Sequence, residues 1–162
     1  MRGVGCITCE NNGRIGALPP REEILVAGSW RVAHAFGTSL PGWLVVVPNQ
    51  HVRAVHELTP EAAAEFGPVL QRTSQALTEV VGCEKAYVVF FAEAKDYEHL
   101  HVHVIPRMDW FGENERGPAV FSLLGSSAET EVSESERDGL ALRLRGALQR
   151  TAGSWGGWPG CG

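Results

Sequence analysis

The chain has 162 residues and a formal charge of −5, from 14 Lys plus Arg against 19 Asp plus Glu. That is about one domain's length, and its acidic balance argues against a protein that grips nucleic acid through phosphate contacts. No run approaches ~20 apolar residues and the first ten residues lack a signal-peptide core, so a cytoplasmic protein without a membrane span is expected.

Residues 1–20 are rich in Gly and Pro and read as loop. Glu23 to Ala27 reads as a short strand, Gly28-Ser29 as a turn, and Trp30 to Phe36 as a second strand. Leu40-Pro41-Gly42 breaks the chain again, and Trp43 to Val47 is a β-branched strand closed by Pro48. Two hairpin-like connections in succession predict an antiparallel sheet. Thr59 is a good N-cap, Pro60 suits the first helical position, and Glu61 sits at the positive end of the dipole. Phe66, Val69, Leu70, Thr73, Leu77, Val80 and Val81 follow the 3.6-residue period, and Gly82 can stop the helix. Lys85 to Phe91 reads as a buried strand, residues 92–98 as a polar loop, and Leu100 to Ile105 as the last strand, ended by Pro106.

Past Arg107 the composition shifts. Residues 107–130 read as loop, and Ser133 with Glu136 forms a capping box that opens a second helix. Leu140, Leu144, Ala147 and Leu148 make its apolar stripe. The expected class is α+β: a five-stranded antiparallel sheet, a long helix between strands three and four, and a C-terminal helix. The expected organisation is a domain over residues 1–127, a helical extension over 128–150 and a flexible tail over 151–162.

Three of the six histidines crowd into His99-Leu100-His101-Val102-His103-Val104-Ile105-Pro106. Side chains alternate across a strand, so His99, His101 and His103 share one open face while Leu100, Val102 and Val104 point into a core. Such a row is a poor packing device, because each imidazole brings two polar nitrogens that must be satisfied. Two chemistries fit. The histidines could ligate a metal. Alternatively, one neutral imidazole attacks phosphorus while its neighbours hold the oxygens.

Cys6-Ile7-Thr8-Cys9 is a CxxC. Four cysteines are too few for a disulfide scaffold, so the pair could be redox-active, two free thiols, or half of a zinc site. A loop setting weighs against the redox reading, which wants the first Cys at a helix N-terminus. Zinc is favoured, because a CxxC is a natural two-ligand clip. Cys83 reads as a small packed residue, Cys161 as part of the tail, and His56 as a surface residue.

The segment from His99 to Arg107 resembles the signature of the histidine-triad (HIT) family, His-φ-His-φ-His-φ-φ with φ apolar. Pro41-Gly42-Trp43-Leu44-Val45-Val46-Val47-Pro48-Asn49-Gln50-His51 resembles the family's P-G-H-x-L-V-I-P-K-x-H segment, and the likeness spans roughly residues 4–110. The resemblance implies a nucleotide hydrolase or nucleotidyltransferase acting on the α-phosphate of a nucleotidyl conjugate. It places the nucleophile at His101, which would carry a covalent nucleotidyl group, with a backbone carbonyl fixing its tautomer. His103 would contact the phosphate. It also implies a homodimer. By likeness to the zinc-containing bacterial branch and to galactose-phosphate uridylyltransferases, it implies a structural zinc on Cys6, Cys9, His51 and His99.

Three positions depart from the family pattern. Trp43 replaces a common His after Pro-Gly, which reads as a packing change. Ala35 stands where Asp or Asn usually meets the ribose. Ala94-Lys95-Asp96 replaces the Gly-Gln-Ser or Gly-Gln-Thr phosphate loop, where Lys95 could offer a charge to phosphate and Asp96 or Glu98 would repel it. A non-catalytic nucleotide-binding module and a hydrolase with its metal on all three histidines remain competing readings.

Overall fold

The protein is described by a computed structural model over residues 5–93 and 98–152. Five strands, β1 (Leu25–Ala27), β2 (Trp30–His34), β3 (Leu44–Pro48), β4 (Lys85–Val89) and β5 (Val102–Arg107), form one antiparallel sheet in the order β1-β2-β3-β5-β4. Helix α1 covers Ile7–Asn12, α2 Pro60–Val81 and α3 Glu134–Ala152. The α+β class, the five strands and the long helix between the third and fourth follow the sequence expectation.

The period of two sorts each strand's side chains between two cores. Trp30, Val32, Leu44, Val46, Val102 and Val104 face α2 and α3 in the main core. Trp43, Val45, Tyr87 and Ile105 belong to a second cluster with Leu40, Phe111 and Val120, closed by the segment after β5. In α2, Thr59 accepts from the Ala62 N–H and Gly82 ends the helix at φ 71°, the left-handed region that suits glycine. Val69, Ala76 and Leu77 point at the sheet, and the Trp30 ring stacks on Phe66 while its N–H donates to the Ala62 carbonyl. The capping box forms, with Ser133 and Glu136 each bonded to the other's N–H. Leu140, Leu144, Ala147 and Leu148 of α3 are buried in the main core. Burying each leucine contributes about 1.5–3 kcal/mol.

Several boundaries differ from expectation. The CxxC segment is helical rather than loop: Cys6 caps α1 by accepting from the Cys9 N–H. Strand β5 begins at Val102, so His99 and His101 lie on its approach, where Leu100 N–H donates to the Val52 carbonyl. Pro106 does not end the strand but pairs opposite Ala86. The ladder explains why proline is tolerated there. Arg107 turns its carbonyl toward Glu84 on the β4 side. By alternation the nitrogen of Pro106 faces the β3 side, beyond the last β3 partner at Leu44. Helix α3 runs through Ala152, past the predicted end at 150; Cys161 and residues 153–162 of the expected tail lie outside the described residues. Short 3-10 turns at Glu113–Glu115 and Gly117–Leu123 occupy the stretch read as loop.

One buried histidine is structural. His34 donates through Nδ1 to the Ala35 carbonyl at 2.6 Å, and its Nε2 accepts from the Gly42 N–H at 2.9 Å. Both nitrogens are used by the neutral ring, and burial pushes its pKa down to about 4. The unfolded chain therefore binds a proton below its ordinary value of 6.5 that the folded chain refuses. Stability from this site is complete above that value and falls as pH drops toward 4. The loss by pH 5 is about 2 kcal/mol. Denaturant unfolding across this range should show the decline, and His34→Gln should make it shallower by this histidine's share; an equal slope in both proteins contradicts the assignment.

Candidate active site and metal centre

The approach to β5 and the loop after β3 meet through the Leu100–Val52 backbone bond, which sets His99 beside His51. Their rings lie edge to face with centroids 5.0 Å apart. Helix α1 brings its two thiols to the same place. Nδ1 of His99 is 3.5 Å from both Cys6 Sγ and Cys9 Sγ, and Nδ1 of His51 is 3.3 Å from Cys9 Sγ. One donor atom from each of Cys6, Cys9, His51 and His99 lies within 4.8 Å of the others, a group that could hold a metal ion. Tetrahedral zinc with Zn–S near 2.3 Å and Zn–N near 2.0–2.1 Å would separate sulfur from nitrogen by roughly 3.6 Å, so the donor set and its spacing suit that ion.

His99 is held for this role. It is 1% exposed. Its Nε2–H donates to the Pro48 carbonyl at 2.9 Å, which leaves the Nδ1 lone pair toward the thiols. Burial pushes its pKa down to about 4, keeping the ring neutral as a ligand must be. The same Pro48 carbonyl accepts from Asn12 Nδ2 at 3.0 Å, and Asn12 Oδ1 accepts from the buried Arg31 guanidinium at 2.8 Å. Arg31 in turn donates to the Glu22 backbone and carboxylate. This chain of bonds fastens α1 to the end of β3. Asn12→Ala should lower metal affinity about 10–100-fold, read by chelator competition. An unchanged affinity would remove Asn12 from the support of the site.

His101 is half-buried, and its Nδ1–H donates to the His99 carbonyl at 2.9 Å. Neutral imidazole carries one ring proton, so this bond leaves Nε2 with its lone pair. His103 is 8% exposed, so the triad does not form the open row expected of it. Its ring stands edge-on to His101 with centroids 5.0 Å apart, and its Nδ1 accepts from the Trp43 indole N–H at 3.0 Å. Burial, and then the nearby His101, push the His103 pKa down to about 4. Trp43 is thus more than a packing change, and sequence reasoning missed its polar contact. The donor-only nitrogen of a tryptophan placed before a core strand was the available signal.

The structure separates the three histidines by task. His99 joins the cysteines, and among the described residues no other group of three or more potential ligands forms. A metal shared by His99, His101 and His103 is therefore not supported. Ala35 is buried in the second cluster and offers no side-chain hydrogen bond. Glu98 pairs with Arg53 at 2.7 Å. Lys95, with Ala94 and Asp96, lies outside the described residues. His56 lies exposed in a short turn at Val55–Glu57, and Cys83 is buried.

A family model for the HIT domain matches residues 31–109. Those residues carry a HIT domain. The HIT domain's fold is shared with solved structures. A zinc-bound histidine triad family protein from Mycobacterium smegmatis is 20% identical, with a TM-score of 0.67 over 94% of this chain and 99% of that one. A histidine triad protein from Sinorhizobium meliloti is 25% identical, with a TM-score of 0.64 over 78% of this chain and 88% of that one. A uridylyltransferase mutant is 21% identical, with a TM-score of 0.63 over 90% of this chain and 48% of that one. A comparison with curated proteins gives no match. No helix among the described residues is long and apolar enough to cross a membrane.

Proposed function

We propose that this HIT protein is a nucleotide hydrolase or nucleotidyltransferase that works through a covalent nucleotidyl group on His101. The observation that carries the reading is the 2.9 Å bond from His101 Nδ1–H to the His99 carbonyl. It holds the ring in the tautomer whose Nε2 can attack, on a side chain that solvent reaches. In the first step the Nε2–P bond forms at the α-phosphorus as the bond to the leaving group breaks, and the leaving group takes up a proton. In the second, water or another acceptor attacks phosphorus and releases a proton to solvent, balancing the one the leaving group drew from solvent, as the Nε2–P bond breaks and the imidazole returns neutral. Dividing one displacement into two is the gain of covalent catalysis. His103 supplies a neutral N–H to the phosphoryl oxygens, a preorganised donor in a water-poor wall. Lys95 remains a proposed phosphate contact.

Cys6, Cys9, His51 and His99 would hold a zinc ion. A closed four-ligand centre of this kind braces the fold and leaves no open position for substrate. Dinucleoside polyphosphates and nucleoside phosphoramidates are the proposed substrate class, in a cytoplasmic homodimer.

Intact-protein mass spectrometry after brief mixing with a panel of adenylylated compounds tests the reading. An alkaline quench preserves a phosphoramidate. A mass gain of one nucleotidyl group, absent in His101→Ala, is the expected result. Binding of the same compounds with neither adduct nor product would instead support a non-catalytic nucleotide-binding module.

A further inference from the structure

The contact between Trp43 and His103 does something that packing alone does not require. Trp43 is completely buried at the start of β3, and its indole N–H is 3.0 Å from Nδ1 of His103. An indole nitrogen can only donate. The nitrogen it meets must therefore present a lone pair, and the single proton of the neutral ring must sit on Nε2. A histidine at position 43 could donate or accept and would leave the choice open. A phenylalanine would leave Nδ1 of His103 buried without a partner.

The walls around His103 leave the clamp unopposed. Across the ladders stand Val45 on β3 and Val89 on β4. The turn at Gly117–Leu123 adds Phe121, edge-on at 5.5 Å to both His103 and Trp43. Among the described residues, the titratable group against His103 is the imidazole of His101. No carboxylate among these neighbours competes for the ring. With the proton on Nδ1 instead, Nε2 would aim a lone pair at a phosphoryl oxygen, which is repulsive, where Nε2–H is attractive.

We propose that Trp43 is a positioning residue, clamping the His103 ring through Nδ1 so that Nε2–H is a fixed donor beside His101 for the phosphoryl oxygens of a nucleotidyl substrate. The inference rests on the reading of His101 as nucleophile. It adds a determinant of the donor's direction, supplied by the residue just before β3, which itself touches no substrate.

The test is the nitrogen-15 spectrum of the histidine rings in the zinc-loaded full chain, between about pH 8 and about pH 5.5, which spans the ordinary imidazole range. In the wild type, His103 should show one pyrrole-like Nε2 and one pyridine-like Nδ1 throughout. In Trp43→Phe the two signals should converge as the ring exchanges its proton or takes up a second. With an adenylylated substrate, kcat in that variant should fall about 10–100-fold, with a smaller change in KM, short of the roughly 100–1000-fold cost of deleting an oriented donor outright. Trp43→His should recover part of the loss. A proton on Nδ1 in the wild type, or an unchanged His103 spectrum in Trp43→Phe, overturns the proposal. Should Trp43→Phe fail to fold, the wild-type tautomer alone decides. The spectrum needs no substrate, so failure of the nucleophile reading is seen separately, as a wild type that forms no adduct while its His103 tautomer stands.

Discussion

His101→Ala is expected to lower turnover by about ten-thousandfold or more, the range seen when a nucleophile is removed from a covalent mechanism. The fold should not notice. His101 is half-buried, and its side chain makes one hydrogen bond, to a backbone carbonyl that can take water instead. Its neighbours Leu100 and Val102 carry the packing of this segment in the main core. The variant should therefore keep its metal content and its unfolding midpoint while losing both adduct and product. His101→Asn separates the nucleophile from the hydrogen bond, since the amide can still reach the His99 carbonyl but cannot attack phosphorus. Both variants should be equally inactive. Turnover retained in either would exclude the covalent route through this histidine.

Metal removal should act on stability instead. Saturation a thousandfold above the dissociation constant contributes about 4 kcal/mol. A domain of this size gains about 2–4 °C in its midpoint per kcal/mol. Chelation, or Cys9→Ser, should thus lower the unfolding temperature by roughly 10 °C, read by calorimetry on samples of known metal content. The loss should be local at first. Helix α1 has six residues and none of them is buried. Without the ion, the helix rests on Asn12 and its partners and on the cap at Cys6. The sheet and the two long helices have a core of their own. A midpoint unmoved by complete chelation would mean that the four side chains meet without bracing the fold.

The sheet and α2 were legible because their signals are local. The β-branched run in Leu44–Pro48 and the cap, period and stop of α2 each lie within a few residues. The Ser133–Glu136 box was legible for the same reason. Helix α1 was not. It is too short to show a period, and it forms where a cysteine caps it and where Asn12 meets the end of β3. Pro106 misled because its effect depends on which neighbour lies on its nitrogen side, a property of the ladder and not of the residue. The positions of the proposed metal ligands and of His101 came from a resemblance, since spacing alone left several ligand sets open. The bond from Trp43 to His103 spans 60 residues and two strands, and no local pattern announces a contact of that range.

The bond at His101 involves residue 99 only through its carbonyl, whereas the thiols meet that residue through its imidazole. Every amino acid brings the same carbonyl. On the proposed reading, an inherited change at position 99 would erase a metal ligand and leave the ring of His101 still aimed. The proposed brace and the proposed chemistry would then be separable traits, although one residue serves both.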